Sequence, residues 1–280
     1  MRLANYEYSE KIGQGAFGTI YKGKNIRTGE PVVIKTELMN IEFSSLKHES
    51  SILNILYSKF CRNIPPTYWY GTISEPINQR VLVMPFYRES LDTFIPKSKQ
   101  NAANIMRSAI SILNHIHDKY IVHRDIKPAN FMIHNDELIL IDFGLASFYV
   151  DSNEKHIMPA VTKQAHIIGT PKYVSWNIHC GEEYSRRDDL MSVIYIGLFL
   201  MYGKKMWAPP TNVNVNVDMD KSMTTHPLNQ WFKMQKPVEN ILLVSSEWIE
   251  LHHFAKNIYA LSFQERPSYN EYIKLFEKTI

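Results

Sequence analysis

Alternating apolar and polar positions mark the first third of the chain as strand. Residues 6–12, 18–25 and 31–36 are rich in β-branched and aromatic side chains, and glycines or the run Thr28-Gly29-Glu30-Pro31 separate them. Phe43, Leu46, Leu53 and Leu56 fall at helical spacing and predict a helix over 43–57. Two more strands are predicted over 66–73 and 80–84. From Glu89 onward helical spacing dominates, as over 101–120, with short strands flanking the loop after Ile121. The run Leu190 to Tyr202 is apolar on every face. It is shorter than the ~20 residues a bilayer span needs, so it predicts a helix buried at a domain centre. Thr211 to Asp220, TNVNVNVDMD, is polar-alternating and reads as an exposed strand or a mobile loop, the loop being favoured. No internal repeat is visible. Strands first and helices later predict an α+β chain with two lobes, the composition shifting near Tyr87 to Ser90.

Composition narrows the class. With 45% hydrophobic and 21% charged residues over 280 positions, the chain has the makeup of a folded globular protein. A net charge of +3 gives no global case for nucleic-acid binding. Two cysteines, Cys61 and Cys180, are too few for a disulfide framework or a zinc site, and predict reduced thiols in a cytoplasmic or nuclear protein. The N-terminal stretch lacks the apolar run of a signal peptide, and no membrane association is expected.

Three motifs carry chemistry. In IGQGAFGTIYKGK, Gly13, Gly15 and Gly18 lie between two predicted strands, where missing side chains let backbone N–H groups approach phosphate oxygens. A dinucleotide site would place such glycines between strand and helix; here Thr19-Ile20-Tyr21 continues as strand, which favours a phosphate-covering hairpin. In VVIK, Lys35 ends an apolar strand, and fourteen residues on Glu49 lies in the predicted helix as its expected ion-pair partner. The third motif is HRDIKPANF, His123 to Phe131, followed by IDFG, Ile141 to Gly144. Asp125 can accept a proton from a substrate hydroxyl, and Lys127 can set positive charge beside a moving phosphoryl group. Asn130 and Asp142 can supply oxygen ligands to Mg²⁺. A lysine two residues after Asp125 favours Ser/Thr protein substrates over small molecules.

The chain resembles the casein kinase 1 family of protein kinases over residues 6–277. The family-specific stretches are HRDIKPANF, GTPKYVSWNIHCGEEYSRRDDL, LKHESSIL around Glu49, and SFQERPSY. The resemblance implies an α+β, bilobal protein kinase fold. It has a small β-rich N-lobe with one main helix (about 1–87), a hinge (about 85–88) and a larger helical C-lobe (about 89–280). It implies ATP and Mg²⁺ as cofactors. Gly13, Gly15 and Gly18 match the phosphate-covering loop, Lys35 and Glu49 the ion pair, Asp125 the catalytic base, Lys127 the loop lysine, and Asn130 and Asp142 the metal ligands. Met84 matches the gatekeeper, Pro85, Phe86 and Tyr87 the adenine-binding hinge, and Ile12, Ile20, Val33 and Met132 the adenine sandwich. Asp189 matches a buried aspartate that braces the catalytic loop, and Ser175-Trp176-Asn177 stands in for the usual Ala-Pro-Glu ending.

Departures from the pattern are Val33 for a smaller residue, Pro85 for an acidic one, Ile194 for a glycine and Met206 for a proline. Protein substrates with acidic or pre-phosphorylated segments, read by Lys172, are implied. Constitutive activity is expected, with no tail after residue 280 to act as an autoinhibitor, although Ser147, Ser152 and Thr162 lie in the loop 145–168. The competing readings are a nucleotide-binding pseudokinase scaffold and a small-molecule phosphotransferase.

Overall fold

In a computed structural model, the structure describes residues 2–3, 5–15, 18–39, 44–58, 62–74, 78–159, 161–209 and 220–277. Phe43, Cys61 and nearly all of the 211–220 segment lie outside them. Two compact units are present: residues 1–90 with 132–145, and residues 91–131 with 146–280.

The first unit is built on an antiparallel sheet of β1 (Arg2–Leu3), β2 (Tyr6–Gly15), β3 (Gly18–Asn25), β4 (Pro31–Leu38), β5 (Trp69–Ile73) and β6 (Gln79–Pro85), in the order β1-β2-β3-β4-β6-β5. Strand β4 shows why the sheet is two-faced. Side chains alternate along a strand, so Val32, Ile34 and Thr36 are buried on one face while Val33 and Lys35 point to the other. Val32 and Ile34 join Val81, Val83 and Tyr6 in a core packed against Tyr8, Tyr21 and Trp69. Helix α1 (Ser45–Leu56) starts at Ser44, whose hydroxyl accepts from the amide of Lys47 at 3.1 Å. Its buried positions Leu46, Glu49, Leu53 and Leu56 recur at helical spacing and place Glu49 on the inward face. A smaller sheet of β7 (Glu89–Ser90), β9 (Phe131–His134) and β10 (Glu137–Leu140) completes the unit. Asn135 and Asp136, both at positive φ, close the tight turn from β9 to β10.

The second unit is mainly helical: α2 (Lys99–His117), α3 (Trp176–His179), α4 (Arg186–Tyr202), α5 (Pro227–Gln235), α6 (Val238–Val244), α7 (Ile249–Tyr259) and α8 (Tyr269–Glu277), with a short antiparallel pair of β8 (Ile121–Val122) and β11 (Ser147–Phe148). Every residue of α4 from Asp188 to Leu200 is buried, including Ile194. This all-round burial accounts for its lack of a polar face. Among the described residues no helix is long and apolar enough to cross a membrane. Cys180 is a free thiol.

Candidate active site

Strand β4 sets the charged centre of the first unit. Lys35 Nζ donates to Glu49 Oε1 at 2.7 Å and Oε2 at 2.9 Å, and to Asp142 Oδ1 at 2.8 Å. Glu49 is 1% exposed, whereas the Asp142 side chain is 46% exposed. Burial alone would lower the pKa of Lys35, but the two carboxylates outweigh it and hold it above the ordinary lysine value. The ammonium therefore stays charged. Asp142 has φ 69°, a left-handed conformation that costs a non-glycine residue energy and is found most often at functional sites.

Beside this cluster lies a cavity of about 210 Å³, lined by Ile12, Gly13, Ile20, Val33, Lys35, Pro65, Met84, Pro85, Phe86, Tyr87, Met132 and Ile141. The walls are overwhelmingly apolar and the one charge is Lys35, the makeup of a small-ligand pocket. Strand register brings the lining together: Ile20 faces Lys35, and Val33 faces Met84. The predicted residues thus converge except for Gly15 and Gly18, which are a cross-strand pair further along the hairpin. A Cβ on Gly18 would lie 1.8 Å from the Thr36 carbonyl oxygen, so only glycine lets the hairpin lie this close to β4. Pro65 and Ile141 were not foreseen. Ile141 adjoins Asp142 at the end of an apolar run, but Pro65 carries no local signal.

The second unit holds a second polar cluster. Asp125 Oδ1 accepts from the Thr170 amide at 2.9 Å and from Thr170 Oγ1 at 2.7 Å. Its Oδ2 accepts from Lys127 Nζ at 2.7 Å and Asn130 Nδ2 at 3.1 Å. Lys127 also donates to Thr170 Oγ1 at 2.8 Å. Asn130 Nδ2 further donates to the Asp125 carbonyl at 2.8 Å, which leaves its Oδ1 out of these bonds. The loop itself hangs on Asp189, 1% exposed, which accepts from the amides of His123 at 2.7 Å and Arg124 at 3.0 Å and lies 3.0 Å from His117 Nε2. Burial would raise the Asp189 pKa, but bonds from His117 and His123 hold it below the usual carboxylate value. Gly169, at φ 99°, brings the next segment to the loop; a Cβ there would lie 2.3 Å from the Arg124 carbonyl oxygen.

Beyond Thr170, Ser175 Oγ and Asn177 Nδ2 both donate to Asp188 Oδ1, at 2.5 and 3.1 Å. Lys172 sits over the Tyr173 ring at 5.7 Å. Burial lowers its pKa, Asp92 pulls it back up, and Lys204, itself 3.1 Å from Asp92, adds to the lowering. Thr170 and Asp92 were not foreseen as site residues.

Among the described residues no three His, Cys, Asp or Glu side chains gather as a metal cage. Mg²⁺ takes one or two carboxylates together with substrate phosphates and waters, so the half-exposed Asp142 carboxylate and the amide oxygen of Asn130 are each chemically suited to it. A lysine fixed between carboxylates beside an apolar pocket, and an aspartate fixed beside a second lysine, define the class of the molecule: a nucleotide-using phosphotransferase. The protein kinase domain family model matches residues 6–275. The chain belongs to the protein kinase family, whose members generally use ATP and Mg²⁺ to phosphorylate proteins.

Proposed function

We propose that this chain is an active, casein kinase 1-like serine/threonine protein kinase. The observation that carries this reading is the arrangement around Asp125. Four hydrogen bonds from Thr170, Lys127 and Asn130 fix both carboxylate oxygens, as a group that must align a substrate hydroxyl requires. The apolar cavity takes the adenine, with Met84 at its back and the backbone of residues 85–87 at its edge. Lys35, fixed by Glu49, orients the α- and β-phosphates, and the glycine hairpin covers them. Asp142 in the first unit and Asn130 in the second would each offer an oxygen to Mg²⁺, which when bound would neutralise phosphate charge. Asp125 accepts the proton of a Ser or Thr hydroxyl as its oxygen bonds to the γ-phosphorus and the bond to ADP breaks. Lys127 offsets charge on the transferred group.

Lys127 and the Ser175–Asn177 bracket support a Ser/Thr protein substrate. The resemblance to the casein kinase 1 family supports activity without phosphorylation in the 145–168 loop. Lys172 reads acidic or pre-phosphorylated residues of the substrate. Phosphate transfer from Mg·ATP to casein and to a primed and unprimed serine peptide, with wild type beside Asp125→Asn, tests the reading. Transfer lost in the variant supports it, and a preference for the primed peptide that survives Lys172→Ala removes the role of Lys172. ATP binding without transfer by wild type would instead favour a scaffold.

A further inference from the structure

Lys236 is fully buried, at 0% exposure, and among the described residues it has no carboxylate partner. Leaving an ammonium in such a place without compensation is costly. Its Nζ donates to the carbonyls of Pro171 at 3.0 Å and Val174 at 2.5 Å, and lies 3.1 Å from His179 Nε2. The rings of Tyr195, Trp207 and Phe232 surround it at 4.8, 5.3 and 5.6 Å. Tyr259 donates to the Lys236 carbonyl at 2.9 Å and lies 2.8 Å from the hydroxyl of Tyr195.

The two carbonyls bracket Lys172 and Tyr173. As an ammonium, Lys236 has three hydrogens for three acceptors. As a neutral amine it still has two for the two carbonyls, and its lone pair accepts a hydrogen bond from His179 Nε2–H in that tautomer. Either way the turn 171–174 is tied to the end of α5 from behind. Upstream, Thr170 is bonded to Asp125; downstream, Ser175 is bonded to Asp188. The stretch between those anchors has Lys236 as its interior support.

We propose that Lys236 is a positioning residue for peptide recognition: from inside the helical unit it sets the conformation of residues 171–174 and so aims Lys172 at the substrate chain. The inference rests on the reading that this chain phosphorylates peptides. It assigns a specificity role to a side chain that touches neither substrate nor nucleotide.

Lys236→Met keeps an unbranched stem and removes the donors. The expected result is a rise of about tenfold in peptide KM, the cost of orphaning buried carbonyls, with ATP KM and kcat within about threefold of wild type. Tyr259→Phe, which frees the Lys236 backbone and keeps the ring, shifts peptide KM the same way by a smaller factor, and decides the matter if Lys236→Met does not fold. Ile258→Val in α7, a buried side chain outside this cluster, is the control for general destabilisation. Amide hydrogen exchange over 170–176 is the readout independent of catalysis, and it rises in Lys236→Met and not in Ile258→Val. Unchanged peptide KM and exchange, or equal changes in the control, would overturn the inference. Wild type that transfers no phosphate to any peptide, with exchange responding as described, overturns the kinase reading and leaves only the support of the loop.

Discussion

Thr170→Val isolates one bond of the Asp125 cluster. Valine has nearly the shape of threonine and puts a methyl, which cannot hydrogen-bond, in place of the hydroxyl. That hydroxyl donates to Asp125 Oδ1 at 2.7 Å and accepts from Lys127 Nζ at 2.8 Å. The Thr170 amide at 2.9 Å, Lys127 at 2.7 Å and Asn130 at 3.1 Å remain on Asp125. One of four bonds to the carboxylate is lost, and Lys127, 22% exposed, can take water in place of its lost acceptor. A hydrogen bond to a charged group is worth about 1.5–3 kcal/mol. If it acts on the aligned, reacting state, kcat falls about 10- to 150-fold. Thr170 does not line the cavity of the first unit, so the KM for ATP stays within about twofold. Thr170→Ser restores the hydroxyl and returns kcat to within about threefold of wild type. Initial rates over a grid of ATP and peptide concentrations separate these constants. A Thr170→Val enzyme with full kcat, or a serine variant as slow as the valine one, would refute the reasoning.

Three further perturbations test other parts of the molecule. Lys35→Met abolishes transfer and leaves Glu49 buried without its cation, a loss of about 3–5 kcal/mol at neutral pH. Its deficit in Tm shrinks as pH falls and Glu49 protonates, and a pH-independent deficit would argue against a buried carboxylate as the cause. Gly18→Ala forces β3 away from Thr36 and raises the KM for ATP about tenfold; Gly13→Ala, whose Cβ meets only Ile20 at 3.6 Å, is milder, and equal effects would show that the close approach is irrelevant. Asp189→Asn keeps one acceptor oxygen and turns an NH2 toward the other of the His123 and Arg124 amides, which costs about 2–4 kcal/mol in denaturant unfolding. Because the folded pKa of Asp189 is depressed, its stabilisation is complete above the unfolded value of about 3.9 and is lost as pH falls through the folded one. The gap between wild type and Asp189→Asn should therefore close in acid, and a constant gap down to pH ~2 would remove the carboxylate from the account.

Legibility in the sequence followed how locally each feature is encoded. The β4 segment is an apolar run that ends at Lys35, so the strand and its charge were legible together, while Val33 was assigned through the family resemblance; the apolar run from Leu190 called for the burial that α4 shows as far as Leu200. The chemistry-bearing residues sit in short motifs because a turn must present them at fixed offsets: Asp125, Lys127 and Asn130 on one loop, Asp142 before a glycine. The helix α1 starts at Ser45, within the predicted 43–57. What the motifs did not disclose is what holds them. Thr170 lies forty-five residues from Asp125, and its hydroxyl is no different in sequence from that of any other threonine. Lys236 stands in QKPV, where a solvated lysine is the ordinary expectation, and it is enclosed by groups from α4, from the 171–179 segment and from Trp207, with Phe232 of α5 beside it. Supporting residues act across the fold, so no spacing rule marks them, and their type is free to vary wherever the same backbone groups can be satisfied another way. A substitution at Lys236 or Thr170 should accordingly alter how well a substrate is held or aligned while every recognised motif remains intact. A reading of motifs alone would therefore class such a variant as fully active.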